Sequence, residues 1–126
     1  NAEVDAVVVL GGVSGESDED LAVLARLPAA IVLTSNAGVL SEVASLVLPT
    51  SSWAEQAGTF TNAKGLAQTF NRAVPSPGQI VPAWQLLGAL AERLGASLGY
   101  TKVQDVRKTM GSAQATLVAA TGAVAS

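Results

Sequence analysis

The stretch AIVLTSNAGVLSEVASLVLP, residues 30–49, decides the fold class, because two short apolar runs flank a helix-like segment. Residues 30–34 and 45–48 are rich in branched apolar side chains and lack a polar alternation, which is typical of strands buried on both faces of a parallel sheet. Residues 37–44 lie between them, behind Asn36, which can cap a helix. The stretch therefore predicts a strand, a short helix and a second strand.

The same alternation begins nearer the N-terminus. Residues 4–10, VDAVVVL, form another apolar run of strand length and end at a pair of glycines. Ser17 then opens an acidic segment in which Asp20, three residues later, can complete a capping box. Three strands alternating with two helices predict an α/β fold, with a Rossmann-like three-layer arrangement around a parallel sheet and right-handed crossovers.

The second half of the chain has a different pattern. Residues 50–80 contain several glycines and prolines and show no helical period, which predicts an irregular loop with short extended pieces near 58–62 and 66–74. A clear helical pattern then opens at Pro82 and ends before Gly95, a residue suited to end a helix.

A final helix is predicted over residues 102–110, with Thr101 and Gln104 as its capping box. The helices follow the loop region, and we interpret residues 1–110 as one α/β domain. Residues 111–126 are mostly Ala, Gly, Thr and Ser, which predicts a low-complexity, flexible tail.

Composition excludes several classes of function. The chain has 7 basic and 10 acidic residues, a net charge of −3 and no basic run, so nucleic acid is not an expected partner. No apolar stretch approaches the roughly 20 residues of a membrane-spanning helix, so direct membrane insertion is not expected. The chain has no Cys and no His, which removes thiolate catalysis, cysteine-ligated clusters, and the commonest general base and metal ligand. We therefore expect no catalytic residue and no metal ligand in this chain.

Two stretches are candidate functional sites, but each is better explained as a structural turn. The turn LGGVSGES, residues 10–17, could cradle a phosphate with free backbone N–H groups, but it is not a GxGxxG pattern and acidic residues follow it. Ser51, Ser52 and Glu55 offer a hydroxyl nucleophile without a nearby base. A tight strand-to-helix turn and a capped turn explain these two stretches better.

The stretch GTFTNAKGLAQ, residues 58–68, is the candidate site whose role is least decided by the sequence. Thr59, Thr61 and Asn62 can exchange hydrogen bonds with a polar ligand, and the two glycines would let the backbone approach it. The same groups can instead satisfy the backbone of their own loop. From the residues alone, the two interpretations are equally favoured.

A longer run, residues 41–95, resembles the molybdopterin-oxidoreductase superfamily. In that superfamily a strand ending in ADVVLP leads to AEKDGTFTN-EGR-Q, then to PPGEA-PDW-I, and then to a helix ending in LG. The resemblance extends over about residues 4–108, and within the superfamily it is greatest to the large iron–sulfur subunit of bacterial NADH:quinone oxidoreductase, respiratory complex I. The matching residues are Leu46 to Pro49, Ala54, Glu55, Gly58 to Asn62, Gly65, Gln68, Ala73, Val74, Pro77, Gly78, Pro82 and Trp84.

This resemblance implies that the chain is a C-terminal part of a longer oxidoreductase that passes electrons from NADH to quinone. The iron–sulfur clusters of such a subunit lie in an N-terminal, Cys-rich region. The present part is then expected to be a cofactor-free, non-catalytic structural scaffold in the cytoplasmic peripheral arm, on the inner-membrane face. Its expected partners are the remainder of its own subunit and neighbouring respiratory-complex subunits.

Departures from the superfamily pattern favour the scaffold interpretation. Leu66 stands where the superfamily has Arg, which removes a guanidinium that could clamp a phosphate or a pterin. Lys64 replaces a Glu, while Ser45 and Ala83 each replace an Asp. Several polar groups that a cofactor site would use are thus absent.

Two alternatives stay open. The chain also resembles the cofactor-side domain of an oxidoreductase of the formate dehydrogenase or nitrate reductase type, which depends on molybdopterin guanine dinucleotide. In that case the cofactor would be lined by Gly11, Gly12, Thr59, Thr61 and Asn62. The other alternative is a free-standing nucleotide-binding α/β module.

Overall fold

The computed structural model describes residues 4–11 and 17–110. Gly12 and the predicted tail, 111–126, lie outside the described residues, and the single domain over residues 1–110 stays a prediction. The described residues form two compact units, which are presented separately. The first comprises those within Asn1–Ser52 and Ser76–Ala83, and the second those within Trp53–Pro75 and Trp84–Ser126.

The first unit is a parallel α/β sheet. Its three strands, β1 Ala6–Leu10, β2 Ala29–Thr34 and β3 Leu46–Pro49, have the order β1-β2-β3, and both neighbouring pairs are parallel, so the predicted α/β class with a parallel sheet is confirmed. The apolar runs become strands because a parallel sheet pairs their backbone groups, and the side chains of the middle strand are the most buried. Its helices are α1 Asp18–Leu24 and α2 Val39–Val43.

Helix α1 begins at the predicted capping box. The Asp20 N–H donates to Ser17 Oγ at 3.2 Å, and the Ser17 N–H donates to Asp20 Oδ2 at 3.2 Å. These bonds satisfy backbone donors that the first helical turn leaves unpaired. Hydrogen bonds from the Ser17 side chain and backbone lower the pKa of Asp20, because they stabilise its carboxylate form.

Helix α2 corrects one prediction. Asn36 is not its cap; the N-cap is Gly38, which offers no side chain. Asn36 lies in a turn at the end of β2, where Thr34 Oγ1 donates to the Asn36 carbonyl at 2.9 Å and accepts from its N–H at 3.2 Å. The helix starts later than expected because this turn is closed by the threonine hydroxyl.

The core of the first unit lies around the middle strand. Its buried apolar side chains are Ala30, Val32 and Leu33 of β2 and Leu40 of α2. Ser45 ties the neighbouring strand to this core, since its Oγ accepts a hydrogen bond from the Ala30 N–H at 2.9 Å. Ser45 therefore has a structural role at a position where the superfamily has Asp.

The second unit joins a hairpin to helical segments. A short 3-10 turn, Trp53–Glu55, precedes two antiparallel strands, β4 Gly58–Thr61 and β5 Ala67–Phe70, within the stretches where extended pieces are predicted. Helix α3, Ala83–Arg93, follows Pro82 and ends before Gly95, whose φ of +80° suits a glycine. Residues 103–110 are also helical, as predicted. No helix in the described part of the chain is both long enough and apolar enough to span a membrane.

The last helical segment is capped by a different residue from the one predicted. Asp105, not Gln104, provides the cap: its Oδ2 accepts from the Thr101 N–H at 3.1 Å, from Thr101 Oγ1 at 3.0 Å and from the Lys102 N–H at 3.1 Å. These contacts lower the pKa of Asp105, the largest contribution coming from the Thr101 N–H. A carboxylate wins over an amide here because a charged acceptor forms the stronger hydrogen bonds.

Candidate functional site

The turn between β4 and β5 is closed by Asn62. Its Oδ1 accepts hydrogen bonds from the N–H groups of Lys64 at 2.9 Å and Leu66 at 3.0 Å. Its backbone N–H donates to the Leu66 carbonyl at 3.1 Å, and its carbonyl accepts from the Gly65 N–H at 2.9 Å. Gly65 has a φ of +79°, a conformation that favours glycine. The side-chain oxygen and the backbone groups of Asn62 therefore bind the turn that contains them.

The other glycine of this hairpin makes room for a protein side chain. A Cβ built on Gly58 would lie 2.5 Å from Cζ of Phe70, directly across the strand pair. The Phe70 ring stacks on Phe60, with 4.6 Å between ring centroids. A close approach by a ring of the same hairpin explains why position 58 is a glycine.

The two threonines of β4 differ in their surroundings. Thr59 pairs with Thr69 and Thr61 with Ala67 in the antiparallel register. Oγ1 of Thr59 is shielded from solvent and has no hydrogen-bond partner among residues 4–11 and 17–110. Thr61, in contrast, is exposed. Of this pair, Thr59 is the one whose hydroxyl is buried and unsatisfied.

Arg107 joins the last helical segment to the hairpin. Its Nη2 donates to the Gly58 carbonyl at 2.8 Å and to the Phe70 carbonyl at 3.4 Å. Its Nε is buried and lacks a partner within the described residues. Sequence reasoning missed this role, because the two carbonyls lie 49 and 37 positions away along the chain and no local pattern signals the contact.

A cavity of about 270 Å³ lies beside the hairpin, within the second unit. Its walls are mainly apolar, and the chemistry that it offers is the packing of an apolar group rather than proton transfer or nucleophilic attack. The described residues contain no group of three or more side chains suited to hold a metal ion. The lining includes Trp53, Thr59, Phe70, Trp84, Arg107 and Met110.

Gly11 lies in the first unit, at the end of β1. Its φ is +81°, and its N–H donates to the Leu33 carbonyl at 2.8 Å. The structure thus gathers Thr59, Thr61 and Asn62 in one hairpin and places Gly11 in the other unit. Their role as cofactor ligands stays a prediction.

Ser51, the first of the two serines after β3, has a structural role. Ser51 is buried, and its Oγ lies 2.9 Å from Oγ of Ser76 within the first unit. Its N–H donates to the Val81 carbonyl at 3.0 Å, next to a parallel bridge between Thr50 and Val81. Ser51 therefore holds the segment 76–83 against the end of the sheet.

The chain combines a parallel α/β sheet with a hairpin that carries the GTFTN pattern. The family model described as Molybdopterin oxidoreductase matches residues 2–93, more than half of the chain. The chain belongs to that family.

Curated relatives include members of two functional groups. The alpha subunit of F420-dependent formate dehydrogenase 1 from Methanococcus maripaludis is 46% identical over 55 residues, which cover 44% of this chain and 8% of that protein. The mitochondrial NADH-ubiquinone oxidoreductase 78 kDa subunit of Neurospora crassa is 36% identical over 70 residues, which cover 56% of this chain and 9% of that protein. Formate dehydrogenase H of Escherichia coli is 27% identical over 110 residues, which cover 84% of this chain and 15% of that protein. The chain therefore spans less than a sixth of the length of these relatives.

Proposed function

We propose that the chain is part of the large iron–sulfur subunit of an NADH:quinone oxidoreductase, in which it acts as a cofactor-free scaffold. Its partners are then the rest of its own subunit and neighbouring subunits of the peripheral arm, on the cytoplasmic side of the membrane. The observation that carries the proposal is the internal use of Asn62, whose amide oxygen binds two N–H groups of its own turn at 2.9 and 3.0 Å.

A cofactor held by this loop would compete with the loop itself. A buried polar group contributes to binding only when its hydrogen bonds are free to be made with the ligand. The acceptor of Asn62 and the N–H of Gly11 already have protein partners, and the Thr59 hydroxyl is shielded from solvent. Leu66, in place of an Arg, adds no charge that would bind a phosphate. These contacts favour a hairpin that holds no molybdopterin guanine dinucleotide.

The similarity to the 78 kDa subunit supports the same assignment, since that relative is a subunit of an NADH-ubiquinone oxidoreductase. We therefore assign electron transfer from NADH to quinone to the complete polypeptide and a packing role to this part. The absence of Cys and His from the sequence agrees with a part that holds no redox centre.

The test is the metal content of the complete polypeptide. We expect iron and no molybdenum by elemental mass spectrometry, together with NADH-dependent quinone reduction in the assembled complex. An Asn62→Ala variant, which opens the turn, should lower the thermal stability and leave the metal content unchanged. About one molybdenum per polypeptide would contradict the proposal.

The second candidate is a molybdopterin-dependent oxidoreductase of the formate dehydrogenase type. The 46% identity to the alpha subunit of an F420-dependent formate dehydrogenase favours it. In that case Gly11, Gly12, Thr59, Thr61 and Asn62 would face the cofactor, and Asn62→Ala would lower the molybdenum content. The same measurement therefore separates the two candidates.

A further inference from the structure

The cavity beside the hairpin has aromatic side chains in its wall that are exposed to solvent. Trp53 is 66% exposed and Phe60 57%, and both line this space of about 270 Å³. A mainly apolar concavity with exposed aromatic rings is typical of a surface that receives an apolar side chain. The chemistry of the cavity therefore fits an aliphatic or aromatic occupant.

The described part of the chain ends at this cavity. Residues 103–110 are helical, and Val103, Val106 and Met110 line the cavity. Their spacing of three and four residues places them on one face of a helix. Met110 is the last described residue, so the sequence that follows it starts at the cavity wall.

The sequence after Met110 contains a suitable apolar pair. Residues 111–126, GSAQATLVAATGAVAS, include no charged side chain, and their large apolar residues are Leu117, Val118 and Val124. We call Leu117 and Val118 the anchor pair. Leu117 follows Met110 by seven residues, a length of chain that reaches up to about 25 Å when extended. This linker is therefore long enough to bring Leu117 back onto a cavity of about 270 Å³.

Attachment to the same chain favours the anchor pair over a separate molecule. A segment on a short flexible linker has an effective concentration in the millimolar range, and this concentration falls as the linker becomes longer. The pair at residues 117 and 118 is therefore favoured over Val124. The residues between Met110 and Leu117 have small or uncharged side chains, so none of them adds a charge that the apolar wall would desolvate.

We propose that the anchor pair docks into the cavity, with the Leu117 side chain against the aromatic wall. Only the pair becomes fixed, while residues 111–116 close a short loop, so the burial of two apolar side chains has few ordered residues to offset. The predicted flexibility of the tail then applies to the residues on either side of the pair. This inference is independent of the proposed function, because it concerns residues of this chain and no metal or cofactor.

Tryptophan fluorescence tests the proposal in the whole chain. The two tryptophans of the sequence, Trp53 and Trp84, both line the cavity, so the total emission reports on it. Leu117→Ser removes the larger residue of the anchor pair. Val124→Ser is the matched control, because it also replaces an aliphatic tail residue by serine. Acrylamide quenching and thermal unfolding are measured for these two variants and the unsubstituted chain.

Leu117→Ser should raise the quenching constant by about a factor of two, because a covered ring meets the quencher only when the docked segment opens. It should also lower the thermal midpoint by at least about 4 °C, since an apolar contact is lost. Val124→Ser should leave both values unchanged. Equal quenching of Leu117→Ser and the unsubstituted chain would overturn the proposal, and so would an equal rise in Val124→Ser.

Nuclear Overhauser spectra of the unsubstituted chain test the same contact without a substitution. The Leu117 methyl protons should show cross-peaks to ring protons of Trp53 or Trp84, and those of Val124 should show none. Absence of the Leu117 cross-peaks would contradict the proposal. Isotope-filtered spectra of mixed labelled and unlabelled chains identify the source: cross-peaks only between molecules would show a second copy as the occupant and overturn docking within one chain. Neither readout involves the metal content, which tests the proposed function separately.

Discussion

At the scale of single residues, the polar groups of the hairpin in the second unit differ in whether they form hydrogen bonds. Oδ1 and the backbone groups of Asn62 form hydrogen bonds within its own turn, whereas the Thr59 hydroxyl is buried without a partner among the described residues. A buried hydroxyl that forms no hydrogen bond loses its hydration without compensation. Thr59 is therefore a position where a polar atom lowers the stability of the fold.

We expect Thr59→Val to raise the free energy of unfolding by about 1 kcal/mol, because valine keeps the shape and removes the unsatisfied hydroxyl. Chemical denaturation of the two proteins measures the difference. Thr69→Val, on the exposed position across the strand pair, is the matched control and should change stability by less than ~0.5 kcal/mol. A loss of stability in Thr59→Val would mean that the hydroxyl has a partner beyond the described residues.

We expect Gly58→Ala to lower the free energy of unfolding by ~1–3 kcal/mol, because the new methyl group would overlap the Phe70 ring. Gly88→Ala is the control: it lies within α3, and apart from adjacent residues and the helix backbone no atom would lie within 4 Å of its Cβ. That change should raise stability by up to ~1 kcal/mol, since alanine favours a helix. Thermal unfolding of both variants gives the comparison, and Phe70→Leu should rescue Gly58→Ala.

The sequence allows two equal interpretations of the hairpin, and it does not reveal the hairpin's contacts between residues that are distant in sequence. The ring that requires Gly58 belongs to Phe70, and the cation that binds the Gly58 carbonyl belongs to Arg107. No local pattern connects these three residues. The turn chemistry of Asn62 and Gly65, in contrast, is among the interpretations that the sequence allows, because it depends on neighbours within four positions.

At the scale of elements, most of the fold could be predicted because its signals are local. The apolar runs, the Ser17 capping box and the boundaries Pro82 and Gly95 all act within a few residues. The two wrong predictions are also local. The Thr34 hydroxyl closes the turn after β2, so that Asn36 does not cap α2, and Asp105 caps the last helical segment in place of the neighbouring Gln104. The register of the sheet could not be predicted, since it depends on pairing between distant strands.

The acidic caps predict a pH dependence. The folded-state pKa of Asp105 is lowered by the Thr101 N–H, and that of Asp20 by Ser17. A lowered pKa means that the carboxylate stabilises the fold above its unfolded pKa of about 3.9, and that this stability is lost as the pH falls through the folded pKa. Helicity measured by circular dichroism should therefore decrease below about pH 4. Asp105→Asn should be less stable at pH 7 and lose less on acidification, and an equal acid response in both proteins would contradict the role of this carboxylate.

At the scale of the whole molecule, each unit exposes large apolar side chains. In the first unit Leu10 is 54% exposed, and in the second unit Trp53, a residue that lines the cavity, is 66% exposed. The low content of charged residues, 13%, indicates surfaces in contact with other protein. Composition could not say which surfaces these are, because that depends on which side chains the fold leaves exposed.

Leu46, a residue of β3 that is 48% exposed, tests whether a longer polypeptide covers this part of the sheet. In this chain, Leu46→Gln should change the free energy of unfolding by less than ~1 kcal/mol, because the side chain already meets water. In a complete polypeptide whose other segments cover Leu46, the glutamine amide would be buried without a hydrogen-bond partner, and the expected loss is roughly 2–3 kcal/mol. Val32→Thr is the control, since Val32 is buried within the first unit and the change should destabilise both forms alike. The comparison uses the denaturation midpoints of the four variant proteins and of their two parents. An equal, small effect of Leu46→Gln in both lengths would show that Leu46 stays in solvent, because only a partner layer can turn an exposed position into a core position.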